Sequence, residues 1–212
     1  MKFDRDFFTK DSFEVAKSLL GATLHTNIEN KIASGKIVEL EVYYGMKDKA
    51  SHAYGGRKTT RNKVMYQMGG VAYIYLIYGL HSLFNIVTGM ENNAQAILIR
   101  ALEPIDGIEI MRERRGSNKL LNLASGPGKL CAALNITSRQ NGFDLSGNTV
   151  WIEPPSIKVP DEKIIRAARV GIDYAEEYKN KLWRFYIKDN PHVSKKVSAS
   201  LLKGNCQIIP EP

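Results

Sequence analysis

The sequence feature that most constrains the fold is an alternation of apolar and polar residues with period two. It covers residues 22–27 and 34–44, and a turn-prone stretch at 29–31 separates the two segments. Because period two is typical of strands with one buried face, these segments predict an antiparallel strand pair. Two further β-rich runs, 71–78 and 82–88, meet at a glycine-containing turn and predict a β-hairpin.

The remaining predicted elements are shorter and mix helices with strands. Helix N-terminal signals occur at Asp11, at Asp106 and at Ser125, the last of which precedes Gly126-Pro127. The predicted elements are helices over 11–20, 106–115 and from 126, strands at 96–101, 150–153, 163–170 and 182–187, and a helical turn at 175–179. Hairpins dominate and regular βαβ spacing is missing, which predicts an α+β class. We expect a single domain over 1–212 with a mostly antiparallel curved sheet, flanking helices and a protruding β-hairpin. Its ends, about 1–4 and 196–212, are expected to be flexible.

Charge is the compositional property that bears on partners. The chain has 30 Lys and Arg against 22 Asp and Glu, a net charge of +8. The excess is local, since 46–63 carries six basic side chains against Asp48, and 179–203 carries seven against Asp189. Such patches favour an anionic partner, although either one could equally be a solvated face.

Several classes of protein are disfavoured by the sequence. Cys131 and Cys206 lack metal-ligand spacing, and the histidines form no cluster, so no metal or cofactor is expected. The longest apolar run, 71–80, is too short to span a bilayer, and the N-terminus lacks a signal-peptide pattern. We therefore expect a soluble, unsecreted protein with no membrane partner.

The strand over 37–43 carries the clearest candidate chemistry. Glu41 and Tyr43 lie two residues apart, about 7 Å along a strand, which suits a small pocket for a planar substrate. Two alternatives are an ordinary amphipathic strand whose glutamates face water, and a glycosidase that uses Glu39 and Glu41 as paired carboxylates. The alternation predicts one face with Val38, Leu40 and Val42, and the other with Ile37, Glu39, Glu41 and Tyr43.

Two other motifs suggest contact with nucleic acid. Tyr78 stands at the predicted hairpin tip, where an aromatic side chain can stack on bases or part a base step, unless the hairpin packs on the protein's own core. The sequence at 125–129 lacks the spacing of a nucleotide-triphosphate loop. A helix start with Lys129 can still hold one phosphate of a polynucleotide, and a helix begun by proline with a surface lysine is the alternative.

Taken together, the motifs resemble the 3-methyladenine (alkyladenine) DNA glycosylases. They occur in order from about residue 5 to residue 195, which makes the set far more specific than any single motif. The matching positions are 35–43, 48–52, 55–59, 61–62, Met65, 73–79, Asn85, 98–104, 125–131, 169–171 and 183–186.

The resemblance implies a catalytic group of three residues. Glu41 resembles the general base that activates water, Arg100 resembles the residue that orients this water and the carboxylate, and the backbone of Val170 completes the water site. The implied reaction is hydrolysis of the N-glycosidic bond of an alkylated, and by extension a deaminated, purine. No lysine stands out as a Schiff-base nucleophile, so we expect a monofunctional enzyme that leaves an abasic site.

The resemblance also implies how the DNA is held. Tyr43 and His52 resemble the two walls around the flipped purine, Asn85 lies beside the base, and Tyr78 resembles the wedge that fills the gap. The basic side chains expected to bind DNA are Arg57, Arg61 and Lys129.

The expected function is therefore base-excision repair of damaged double-stranded DNA. The protein is expected to act as a monomer without cofactor, in the cytoplasm at the nucleoid or, in a eukaryote, in the nucleus. The alternative is a non-catalytic basic nucleic-acid-binding protein that uses the same charged loop and tyrosine tip.

Overall fold

The computed structural model describes residues 1–197 of the chain. The helices in this part are α1 (Arg5–Phe8), α2 (Ser12–Leu19), α3 (Ile108–Arg115) and α4 (Pro127–Ala133). The strands are β1 (Thr23–Ile28), β2 (Lys31–Tyr43), β3 (Ala72–Ile77), β4 (His81–Thr88), β5 (Gln95–Pro104), β6 (Val150–Glu153), β7 (Ile164–Ala167) and β8 (Arg184–Ile187). Short 3-10 turns lie at Gly45–Lys47, Tyr54–Gly56, Lys63–Tyr66, Leu120–Asn122, Ser138–Gln140, Asp161–Lys163 and Glu176–Asn180.

These eight strands form one antiparallel sheet, and β2 is its central member. The order along the sheet is β3-β4-β5-β2-β1-β6, while β8 pairs with both β2 and β7. β2 pairs with β1 through its first half and with β8 at Glu39, Leu40 and Glu41, while β5 covers its other edge. The predicted α+β class and mostly antiparallel sheet are confirmed.

A double irregularity between β2 and β5 changes which residues face the core. The register shifts on both sides of Glu39, which leaves Val38 and Arg100 without a direct partner. As a result Ile37 packs in the main core, while Val38 packs in a small separate cluster with Ala101. The predicted faces are therefore wrong at 37 and 38, because an extra residue in a strand shifts the alternation and re-aims the side chains beside it.

The helix caps agree with the sequence signals in only one case. Asp11 caps α2 by accepting a hydrogen bond from a backbone N–H of its first turn. The residue before α3 is Gly107, and the Asp106 carboxylate instead accepts a hydrogen bond from a serine of β2. α4 follows Gly126 without a side-chain cap, so the predicted capping roles of Asp106 and Ser125 are wrong.

The main core lies between the helices and one face of the sheet. It includes Phe8 of α1, Leu19 of α2, Leu40 of β2 and Phe84 of β4, each essentially inaccessible to solvent. This packing fixes the central strands, and it leaves the hairpin of β3 and β4 to project with an exposed tip. The predicted protruding hairpin is confirmed.

The long basic loop after β2 is folded rather than irregular. Asn62 is buried and donates hydrogen bonds to the carbonyls of His52 (2.7 Å) and Arg57 (2.8 Å), which ties the C-terminal end of the loop to its middle. This fixed loop forms one side of the candidate site described below.

The N-terminal residues pack against the sheet, whereas most of the C-terminal end lies outside the described residues. Near the N-terminus, Phe3 packs against the main core and its N–H donates to the Ile152 carbonyl (3.0 Å). Residues 198–212, which include Lys203, Cys206 and most of the expected flexible end 196–212, lie outside the described part. The flexibility of both ends stays a prediction.

Candidate active site

Glu41 is a buried carboxylate held by three different donors. Its side chain is fully buried, and its Oε2 accepts a hydrogen bond from the Tyr43 hydroxyl at 2.9 Å. Its Oε1 accepts from the Val170 N–H at 2.8 Å and lies 3.4 Å from Nη1 of Arg100. Burial raises the pKa of Glu41, and Arg100, the Val170 N–H and the Tyr43 hydroxyl counteract part of that increase. The predicted catalytic group is thus brought together, and the carboxylate is made more basic than a solvent-exposed glutamate.

Arg100 connects Glu41 with a second buried carboxylate. Its Nε donates to Oε1 of Glu39 at 3.3 Å, and the same oxygen accepts from Arg184 at 2.9 Å. The other oxygen of Glu39 accepts from the Ser194 N–H at 2.7 Å. Glu39 is therefore occupied by two cations and a backbone donor. This arrangement disfavours paired catalytic carboxylates, and the alternative in which the glutamates face water is wrong.

A cavity of about 610 Å³ is lined by Tyr43, Arg100 and Val170, the three residues that contact Glu41, while the Glu41 carboxylate itself lies behind them and is not a lining residue. Its lining residues come from the end of β2, from the hairpin of β3 and β4, from β5, from the loop after β2, from the start of α4 and from the segment after β7. The predicted site residues that line it are Tyr43, His52, Arg61, Tyr78, Asn85, Arg100 and Val170. A cavity of this size with several aromatic walls can hold a flat bicyclic group.

His52 is fixed by two tyrosines of β3. Its Nδ1 lies 2.8 Å from the Tyr73 hydroxyl, and its ring contacts Tyr75 edge to face at a centroid distance of 4.6 Å. Burial, with a smaller contribution from Arg61, lowers the pKa of His52 to about 4. The imidazole is therefore neutral near pH 7.

Tyr75 is a cavity residue to which the sequence analysis assigned no role. It lines the cavity, packs on His52 and lies 5.6 Å from the Tyr73 ring centroid. Its signal in the sequence was the spacing of Tyr73 and Tyr75, since residues two apart in a strand point to the same face.

Asn85 presents a defined atom to the cavity. It is 3% exposed on β4, and its amide nitrogen donates to the backbone carbonyls of Tyr73 (3.1 Å) and Leu83 (3.3 Å). A flipped amide would set its oxygen against two carbonyl oxygens, so the network fixes the orientation. The Oδ1 acceptor is thus the group available to a molecule in the cavity.

Tyr78 stands at the exposed tip of the hairpin. Its side chain is 90% exposed, and that of the nearby Leu80 is 74% exposed. The backbone of Tyr78 has φ +54°, a left-handed conformation that few non-glycine residues adopt, and Gly79 follows at φ +67°. The turn therefore holds a large aromatic side chain away from the protein's own core, so the alternative in which this tip packs on the core is wrong.

The predicted DNA-binding cations have different surroundings. Arg57 lines a second cavity of about 380 Å³ beside the first, and Arg61 lines both cavities. Arg61 also donates to the Leu76 carbonyl at 3.1 Å. Lys129 hydrogen bonds to the Asn122 side chain at the start of α4. Arg57 and Arg61 thus lie at the mouth of the site, whereas Lys129 has an internal partner.

Other basic side chains of the two segments form ion pairs within the protein. Lys49 pairs with Glu176 (2.7 Å) and Glu177 (3.0 Å), and Arg184 is buried against Glu39. The second basic segment is therefore not simply a solvated face, because one of its cations belongs to the interior network behind the cavity.

The part of the chain that the structure describes contains no group of three or more His, Cys, Asp or Glu that could hold a metal ion. None of its helices is long and apolar enough to cross a bilayer.

Comparison with known proteins relates this site to a family. The model of the methylpurine-DNA glycosylase family matches residues 6–191. Proteins named "Putative 3-methyladenine DNA glycosylase" match from Clostridium acetobutylicum (48% identity over 202 residues, 92% of this chain and 98% of that protein) and Clostridium tetani (48% over 207 residues, 92% and 100%). One from Clostridium novyi is 46% identical over 203 residues, 92% of this chain and 99% of its own. The chain belongs to the methylpurine-DNA glycosylase family, and the resemblance found in the sequence is confirmed.

Proposed function

We propose that this protein excises alkylated purines from double-stranded DNA by hydrolysing the N-glycosidic bond. The observation that carries the proposal is the buried carboxylate of Glu41, whose three donors, Tyr43, Arg100 and Val170, line an aromatic cavity that also reaches the exposed Tyr78. A base inside a duplex is inaccessible to water, so the nucleotide must leave the stack, and damaged bases leave it at the lowest energetic cost. Family membership and the names of the relatives support the same substrate class.

In this proposal Tyr78 occupies the gap that the extruded nucleotide leaves. The base enters the cavity and stacks between Tyr43 and His52. An alkylated purine is electron-poor and often cationic, and aromatic rings attract such a group. Because His52 is neutral near pH 7, it does not repel a cationic base.

Glu41 then acts as the general base. It takes a proton from a water molecule that attacks the sugar carbon as the base departs, and its negative charge stabilises the developing positive charge on the sugar. Arg100 and the Val170 N–H hold the carboxylate and the water. The pKa of Glu41 is raised by burial, so the carboxylate accepts the proton more readily than an exposed glutamate would.

Monofunctional action is part of the proposal. A glycosylase that also cleaves the strand uses an amine to form a Schiff base with the sugar. Within the described residues, no lysine lines the cavity. The expected product is an intact abasic site, and strand cleavage by the pure enzyme without heat or added base would contradict this.

The test is a panel of duplexes that each carry one alkylated, deaminated or undamaged purine, scored for free base. We expect release from the alkylated duplex and none from the undamaged one. The Oδ1 of Asn85 beside the base is the group expected to discriminate among exocyclic substituents, and the deaminated duplexes test whether neutral lesions are accepted. Binding with a steep salt dependence but no base release would favour the non-catalytic alternative.

A further inference from the structure

Arg169 and Asp48 form a buried ion pair that joins three parts of the site. Both side chains are fully buried, and the guanidinium contacts the carboxylate through two nitrogens at 2.5 and 2.8 Å. Arg169 also donates to the Val42 carbonyl of β2 at 2.9 Å. Asp48 accepts from the N–H groups of Tyr44 (3.1 Å) and Ala50 (3.0 Å). The pair therefore links the end of β2, the following loop and the segment after β7.

The same guanidinium supports the groups that hold Glu41. Its central carbon lies 4.8 Å from the ring centroid of Tyr43 and 5.0 Å from that of Trp183. Arg169 does not line the cavity, so it contacts Tyr43 from the protein side. Tyr43 donates its hydroxyl to Glu41, and Val170, the residue after Arg169, donates its N–H to the same carboxylate. Two of the three donors to Glu41 thus depend on the position of Arg169.

Stability alone does not account for this arrangement. Burying two charges removes them from water, and replacing such a pair by apolar residues of similar volume is often neutral or stabilising. The Nε–H of Arg169 also has no hydrogen-bond partner among the described residues. The planar guanidinium contacts two aromatic rings and binds a carboxylate through two nitrogens. Its main effect is therefore to fix the orientation of these groups rather than to stabilise the fold.

We propose that Arg169, held by Asp48, is a positioning residue that aligns Tyr43 and the Val170 N–H on Glu41 during base excision. This rests on the proposed function. Arg169 does not touch the substrate, and its effect passes through the Tyr43 ring and the adjacent peptide. Misplacing catalytic groups by about 1 Å can lower a rate about 100-fold, so a support of this kind has a measurable consequence.

The pH dependence of excision separates positioning from general stabilisation. The groups that act on Glu41 are Arg100 from β5, Arg184 from β8, Tyr43 from β2 and the Val170 N–H, while the charge of Glu41 contributes to raising the pKa of the Tyr75 and Tyr174 hydroxyls. If Tyr43 and Val170 lose their alignment, the Glu41 carboxylate loses two stabilising donors and its pKa increases further. The acid limb of the pH–rate profile then moves to higher pH.

The experiment compares Arg169→Lys and Arg169→Met with wild type under single-turnover conditions on a duplex with one alkylated purine. Lysine keeps a charge beside Asp48 but loses the planar, two-nitrogen contact. We expect Arg169→Lys to keep most of the wild-type melting temperature and DNA affinity, to lose about 100-fold in rate, and to shift the acid limb upward. The matched control is Arg166→Lys, because Arg166 is an exposed arginine 5.5 Å from the Phe185 ring centroid and outside the cavity.

A wild-type rate per folded molecule for Arg169→Lys, or an unmoved acid limb, would overturn the proposal. If neither variant at position 169 folds, Asp48→Asn gives the same test. Asparagine has one acceptor oxygen, so it can accept from only one of the two loop N–H groups and it loses the two-oxygen contact with Arg169. An unchanged rate and acid limb there would also overturn the proposal. If wild type itself releases no base, the proposed function fails instead, so the two failures are distinguishable.

Discussion

Replacing Tyr78 by alanine should slow excision from duplex DNA but leave excision from single-stranded DNA unchanged. The side chain is 90% exposed, so its removal leaves no cavity in the core and should change the free energy of unfolding by less than about 0.5 kcal/mol. Alanine is preferable to glycine here because alanine and tyrosine both disfavour the observed φ of +54°. The turn therefore keeps the same backbone strain in the variant.

The magnitude follows from the stacking that Tyr78 would supply. An aromatic side chain stacked on a base contributes about 1–3 kcal/mol. Because about 1.4 kcal/mol corresponds to a tenfold change, Tyr78→Ala should lower duplex excision at subsaturating protein by about 5- to 150-fold. A single strand has no base pair to open and no gap to fill, so the wedge gives no advantage there.

The assay measures base release from one alkylated purine in duplex and in single-stranded oligonucleotides of the same sequence. The control is Ile157→Ala, which removes another exposed apolar side chain, 84% accessible and outside the cavity. The informative quantity is the ratio of duplex rate to single-strand rate, which should fall for Tyr78→Ala only. An equal loss on both substrates would refute the wedge role, because it would mean that Tyr78 acts in the cavity instead.

Three further predictions concern Glu41 and the basic loop. Tyr43→Phe removes a donor to the Glu41 carboxylate, so the acid limb of the single-turnover pH–rate profile should move to higher pH; Tyr44→Phe, whose lost hydroxyl donates to Asp11 (2.9 Å), should leave it in place. Glu41→Gln should raise the melting temperature near neutral pH. Burial raises the pKa of Glu41 in the folded protein above its ordinary 4.5, so wild type loses stability as pH rises through that pKa, and the advantage of glutamine should vanish below about pH 4.5 in melting curves. Arg57→Ala and Arg61→Ala should each weaken duplex binding in all sequences and reduce the slope of log K against log salt by about 0.9; unchanged slopes would identify this patch as a solvated face.

Part of the site could be predicted from the sequence because residues two apart in a strand lie on the same face and can contact each other. Glu41 and Tyr43 lie two residues apart in β2, and their side chains do meet, at 2.9 Å. The position of Tyr78 at the hairpin tip could also be predicted, because two β-rich runs that meet at a glycine form a hairpin and Tyr78 directly precedes that glycine. Long-range placement of His52 and Val170 came from the family resemblance rather than from spacing.

What the sequence could not predict depends on tertiary pairing. The irregularity around Val38 and Arg100 requires knowledge that β5 lies beside β2, and it is this irregularity that reverses the facing of Ile37. Arg184 belongs to a basic segment that charge counting assigns to the surface, yet it is buried against Glu39. Its partner is 145 residues away in the chain, so no local pattern indicates the pair.

The most direct test of the account is single-turnover excision of one alkylated purine from a duplex by the Glu41→Gln variant. The control is Glu103→Gln, which alters a carboxylate of β5 that pairs with Lys36 (2.7 Å) outside the cavity. General base catalysis contributes about 100- to 10,000-fold, so Glu41→Gln should bind the duplex as wild type does but release the base at least about 100-fold more slowly. The Glu103→Gln variant should retain the wild-type rate. Wild-type excision by Glu41→Gln would contradict the assignment of Glu41 as the general base.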